Sequence, residues 1–226
     1  MAQEWLKDAR QRKGWTQHQA AAKLGVSQTY LSLLEQGRRP VTKRLLPTLQ
    51  RHLDVPATAL PSETPKREVN AQRLAEALGA LGYPGFTYLK RGPRMNPAQV
   101  LVVALQQSNL ETRLVEALPW VALHYPNLDW EWLVERAKVN DLQNRLGFVL
   151  SLARRLAERK GDTQTVVPLA QVEQRLERSR LAREDTLCRD SMTAAERRWL
   201  TSHRPPEALH WNLLTDLDVS HLSDAA

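Results

Sequence analysis

TQHQAAAKLGVSQTYLSLLEQGRR, residues 16–39, carries two helix starts and two helix stops. Thr16 is a side-chain acceptor suited to cap a helix, and Ala20, Ala21 and Leu24 follow at the three- and four-residue spacings of one apolar stripe. Gly25 can enter the left-handed region that ends such a helix, and Val26 carries the chain to a second cap at Ser27. The spacing predicts a second helix from Gln28 to Gln36 with Leu31 and Leu34 inward, stopped at Gly37. Two helices of about two turns, joined by three or four residues, make a helix-turn-helix.

The flanks fit this unit. Glu4 to Lys13 reads as a helix with Trp5, Leu6 and Ala9 inward, ended at Gly14. Trp15 precedes the Thr16 cap, where an apolar residue staples a helix entry. Thr42 is placed to cap a fourth helix to about His52, with Leu45, Leu46 and Leu49 inside and Pro47 in its first turn. Leu53, Val55 and Leu60 complete a small core.

The pattern resembles the helix-turn-helix of phage repressors and Cro, the xenobiotic-response-element (XRE) family, over about residues 5–55. Gln17, Ala21, Gly25, Val26, Ser27, Gln28, Leu31, Glu35 and Gly37 carry the resemblance. It implies a domain that binds double-stranded DNA, and an ion pair between Arg10 and Glu35 tying the first helix to the end of the third. Such a pair, partly exposed, would contribute roughly 1 kcal/mol or less.

In that setting the third helix lies in the major groove with its early side chains at base edges. Gln28 is the leading reader, since its amide both accepts from and donates to adenine. Thr29 offers a methyl to thymine or a hydroxyl to phosphate, and Ser32 lies one turn beyond Gln28. Leu33 stands where related repressors often carry a polar reader, so it either meets a thymine methyl or is buried. Tyr30 is either core or a donor to the backbone. Gln17 opens the second helix, whose free N–H groups and dipole favour a phosphate. Arg38, Arg39, Lys43 and Arg44 follow the recognition helix as candidate phosphate clamps.

Charge distribution points the same way. The 226 residues carry a net charge of +7. Residues 1–60 hold ten Lys plus Arg against four Asp plus Glu, a net of +6; the rest hold 22 against 21, a net of +1. The excess lies on the helix-turn-helix segment, as phosphate binding requires. The one cysteine, Cys188, permits no intrachain disulfide, and no Cys/His spacing suits zinc. MAQEWLKDARQRKG lacks a long apolar region and no run of about eighteen apolar residues occurs, so neither export nor membrane insertion is expected and a cytoplasmic setting is.

LPSETPKRE, residues 60–68, is rich in proline and charge, which places a linker at 61–68 between a 1–60 DNA-binding domain and a 69–226 helical domain. The fold class expected throughout is all-α. Helices are predicted over Asn70 to Leu81, Pro97 to Gln107, Leu110 to His124, a segment capped by Asp129, and Asp141 to Lys160. Further helices are predicted over Pro168 to Glu184, over a segment boxed by Thr193 and Glu196, and over Pro205 to Leu217. Residues 83–97, with Lys90, Arg91 and Arg94, suggest a loop or short hairpin. Trp120, Trp130 and Trp132 are expected in the core. QVEQRLERSRLARED reads as a dimerisation arm or a solvated helix face.

No phosphate-cradling glycine loop, Gly-x-Ser-x-Gly elbow or HExxH is present, and no catalytic residue, cofactor or metal site is expected. The function expected is a sequence-specific transcriptional regulator, a repressor acting as a homodimer on an inverted repeat. The 69–226 domain would serve an effector, oligomerisation or partner. The alternative is an antitoxin that neutralises a toxin protein through this domain while repressing through the first.

Overall fold

The computed structural model describes residues 4–42, 44–62, 69–89 and 94–222. The chain divides into two compact units, Met1–Pro61 and Ser62–Ala226. Most of the expected linker, residues 63–68, lies outside the described residues, as do Lys43, Lys90 and Arg91. Among the described residues the fold is all-α apart from one pair of two-residue strands.

The first unit contains α1 (Glu4–Arg12), α2 (Gln17–Leu24), α3 (Gln28–Glu35) and α4 (Leu46–His52). α3 packs on α1 and α2, and α4 on α2. The core holds Leu6, Ala9, Ala20, Ala21, Leu24, Leu31, Leu34, Leu45, Leu49, Leu53, Val55 and Leu60, with Trp5, Trp15 and Tyr30 partly buried against it. α4 begins at Leu46 rather than at Thr42, whose hydroxyl instead accepts the Leu45 N–H at 3.4 Å in the turn before it.

In the second unit, α5 (Ala71–Leu81) is capped by Asn70 and ends at Gly82. Where residues 83–97 suggest a loop or short hairpin, Pro84–Leu89 forms a 3-10 segment packed on α5, and no hairpin is present among the described residues. Gly79 permits this close approach, since a Cβ there would lie 2.3 Å from the Phe86 carbonyl oxygen. α6 (Pro97–Leu105), buried at every residue but Gln99, confirms VLVVAL as helix rather than strand. α7 (Thr112–His124) runs through Pro119, and α8 (Trp130–Val139) is capped by Asp129.

α9 (Gln143–Arg159) is the axis of this unit, packing on α6, α7 and α8. Its buried residues include Leu146, Gly147, Phe148, Val149, Leu150, Ser151, Leu152 and Ala153 in one unbroken run. α10 (Thr163–Glu177) lies along α9 through Leu169, Val172 and Leu176. It starts five residues before the predicted Pro168, under an Asp162 cap, and ends seven before Glu184.

The early end shortens the helix expected over QVEQRLERSRLARED and has a visible cause. Three polar residues at the start of α9 bond the segment that follows α10, Gln143 and Asn144 through its backbone and Arg145 through the Asp185 side chain. Gln143 donates to the Ser179 carbonyl at 3.0 Å, and the Asn144 amide exchanges both bonds with Leu181 at 2.8 and 2.9 Å. The Arg145 guanidinium, 9% exposed, forks onto Asp185 at 2.8 and 2.9 Å and reaches the Leu105 and Gln107 carbonyls at 2.8 and 3.1 Å. These bonds hold residues 179–185 as a non-helical run of turn and bends, and satisfy the Ser179 and Leu181 backbone groups.

The chain then forms β1 (Asp185–Thr186), α11 (Ala194–His203) under the Thr193/Glu196 capping box, and α12 (Pro206–His210). β2 (Leu213–Leu214) pairs parallel with β1, and Val219–Leu222 closes the described chain as a 3-10 turn. The predicted helix from Pro205 to Leu217 is therefore cut to five residues. Trp211, 2% exposed, leaves it to pack on Gly147, and Asn212 turns the chain at φ 52°. Trp120 is in the core as expected, but Trp130 and Trp132 are only half-buried; Trp211 is the second buried tryptophan.

Candidate nucleic-acid interface

Local sequence sets both helices of the motif. The Thr16 hydroxyl accepts the Gln19 N–H at 3.2 Å, while the Gln19 side chain accepts the Thr16 N–H at 2.9 Å, a closed capping box. Gly25 takes φ 67°, where a side chain would strain the backbone, and Val26 N–H returns to the Ala21 carbonyl at 3.0 Å. The Ser27 hydroxyl accepts the Tyr30 N–H at 3.1 Å and starts α3.

α3 is fixed from its inner face. Arg10 donates from Nε and Nη2 to the two Glu35 oxygens at 2.6 and 3.1 Å, and from Nη1 to the Trp15 carbonyl at 2.8 Å. The pair implied by the resemblance is present, but it is buried rather than partly exposed, with side chains 11% and 4% exposed. Burial pushes the Glu35 carboxyl up, yet the hydrogen bonds from Arg10 and Gln17 outweigh it and hold the pKa below the ordinary value. The Glu35 hydrogen bond correspondingly raises the Arg10 pKa despite burial.

Gln17 donates its amide to Glu35 Oε2 at 2.9 Å. Its side chain therefore joins the lock on α3, and the backbone N–H groups at the start of α2 are what this end offers an anion. Tyr30 packs against the core, and the Lys23 ammonium sits 5.0 Å from the centre of the Trp15 ring.

The outer face of α3 carries Gln28 and Thr29, both exposed, and Ser32 and Leu33, both half-buried. Leu33 is thus neither core nor fully solvated. Gln36 donates to the Ser32 hydroxyl at 3.0 Å, extending the row Gln28–Ser32–Gln36. Gln36 is not among the readers expected from the sequence, although its position eight residues after Gln28 puts it on the same helix face. Beyond Gly37, at φ 70°, Arg38 and Arg39 turn their N–H groups to the Leu33 carbonyl at 2.9 and 3.2 Å. The side chains of Arg38, Arg39 and Arg44 are exposed and make no ion pair among the described residues. Lys13 lies 3.6 Å from Asp54.

A capped helix pair with its second helix braced from behind, and amides, hydroxyls and arginines in front, defines a helix-turn-helix DNA-binding domain. Residues 6–60 match the family model described as Helix-turn-helix, the module of DNA-binding transcription regulators. Neither curated proteins nor solved structures gave a match. Among the described residues no helix is long and apolar enough to cross a membrane, and no three His, Cys, Asp or Glu side chains are grouped to hold a metal ion.

Proposed function

We propose that this chain is a sequence-specific transcriptional repressor that reads an inverted-repeat operator as a homodimer, with α3 of each copy in the major groove. Gln28, Thr29, Ser32 and Leu33 meet base edges. Arg38, Arg39, Lys43 and Arg44, with the start of α2 at Gln17, meet phosphates. The observation that carries this reading is the division of labour on α3: its inner face is locked through Glu35, while Gln28 and Thr29 on its outer face are exposed and the Arg38, Arg39 and Arg44 side chains make no ion pair among the described residues. The 69–226 domain serves regulation and assembly rather than catalysis.

Selection of bound duplexes from a random pool, followed by footprinting and mass measurement of the complex, tests the proposal. The expected product is an inverted repeat with half-site centres about 34 Å apart, bound by two chains. Recovery of no preferred sequence, or a single half-site bound by one chain, overturns it.

A further inference from the structure

The second unit holds a cavity of about 260 Å³, slightly below the usual size of small-molecule pockets, about 300–1,000 Å³. It exists because residues 179–193 and 211–222 are not continuous helix. These returning segments leave a space against the start of α7 that close-packed helices would have filled. Its apolar wall includes Val115, Leu187, Met192, Leu200 and Leu214, and three of these, Met192, Leu200 and Leu214, form a small hydrophobic cluster of their own.

The charged groups on the wall do not cancel. Arg189 is neutralised by Glu196 at 2.6 Å. Glu116, from α7, and Asp216, just after β2, have no ion-pair partner among the described residues. The His221 Nδ1 accepts the Asp218 N–H at 3.1 Å. An apolar floor with two unmatched carboxylates is complementary to a compact body bearing one positive charge, and mismatched to an anion.

We propose that this cavity binds a compact organic amine, with its apolar body against Met192 and Leu200 and its ammonium between Glu116 and Asp216. The site stands on the cavity itself; only its regulatory consequence rests on the DNA-binding reading above.

The full chain, labelled with ¹³C in its methionine methyl groups, offers a direct test with benzylamine as the probe and benzyl alcohol and benzoate as controls. The amine is expected to shift the Met192 signal saturably while Met95 stays in place, and to bind about tenfold or more tightly than either control. Glu116→Gln combined with Asp216→Asn removes surface charge without touching the apolar wall, and is expected to lower amine affinity by about tenfold or more. Absence of a saturable Met192 shift, equal binding of the three probes, or unchanged amine affinity in the double variant overturns the site. Titration of an operator in parallel separates the two readings: intact DNA binding without an amine response removes only the cavity proposal, and an amine response without DNA binding removes only the reading of the first unit.

Discussion

Trp211 lays its six-membered ring over Gly147 so closely that a Cβ on residue 147 would sit 2.4 Å from two ring carbons. The contact joins the second turn of α9 to the chain leaving α12, 64 residues later in sequence. Gly147→Ala is expected to destabilise the second unit by about 3 kcal/mol, through overpacking rather than loss of a bond. Trp211→Leu should cost a similar amount as a cavity, and the double variant should lose less than the sum. Urea unfolding of all three, read by circular dichroism, checks this; strict additivity would place the ring away from Gly147.

Arg10 and Glu35 should behave as a coupled pair. Arg10→Met leaves a buried carboxylate without its cation, with an expected cost of about 3 kcal/mol to the first unit. The Glu35 pKa is depressed in the fold, so its contribution is present at pH above the unfolded carboxyl value and is lost as pH falls through the folded value. Stability of the first unit should therefore decline with acid below about pH 4.5, and Glu35→Gln should flatten that decline. Thermal unfolding between about pH 2 and 7 measures it; an unchanged acid slope in the variant would assign the slope to other carboxylates.

Readers and clamps differ in what salt and sequence do to them. Gln28→Ala is expected to cost about 1–3 kcal/mol on the selected operator and little on random DNA. Arg38→Ala should weaken binding to all duplexes alike and lower the slope of log affinity against log salt by about 1. Fluorescence anisotropy titrations at several salt concentrations distinguish the two. Equal loss on both DNAs for Gln28→Ala would remove it from base readout.

Cys188 is fully buried, and desolvation pushes its thiol pKa up to about 11 despite the nearby Arg145. On the order of 0.1% would be thiolate at about pH 8, so alkylation should be slow in the folded chain and fast in urea. Mass-spectrometric labelling with iodoacetamide follows this directly. Labelling at the unfolded rate under native conditions would show that the segment from β1 to Met192 opens freely. Its Sγ lies 3.4 Å from the Ala104 carbonyl, so the same experiment reports on how firmly this segment is held to α6.

What residues 16–39 encode is local. A threonine or serine before a helix, a glycine at positive φ after it, and leucines at three- and four-residue spacings act over a few residues, so α2, the turn and α3 follow from the sequence alone. So do the Asn70, Asp129 and Thr193 caps, for the same reason. Asp162 is an equally readable cap, but Pro168 draws the predicted start of α10 to itself because proline favours a first turn. Three-dimensional packing decided the rest. The run after Glu177 has the composition of a helix, and leaves the helix because Gln143 and Asn144, some forty residues earlier, bond its backbone and Arg145 bonds the Asp185 carboxylate. Leu213 and Leu214 leave the predicted last helix because Trp211 finds its place on Gly147 and β1 offers a ladder. In each case a local preference of a few tenths of a kcal/mol per residue competes with burial and hydrogen bonding that contribute several times more. The residues that provide that burial and those bonds lie far away in the chain, outside any short window of sequence, which is why the helix-turn-helix was legible and the cavity beside Met192 was not.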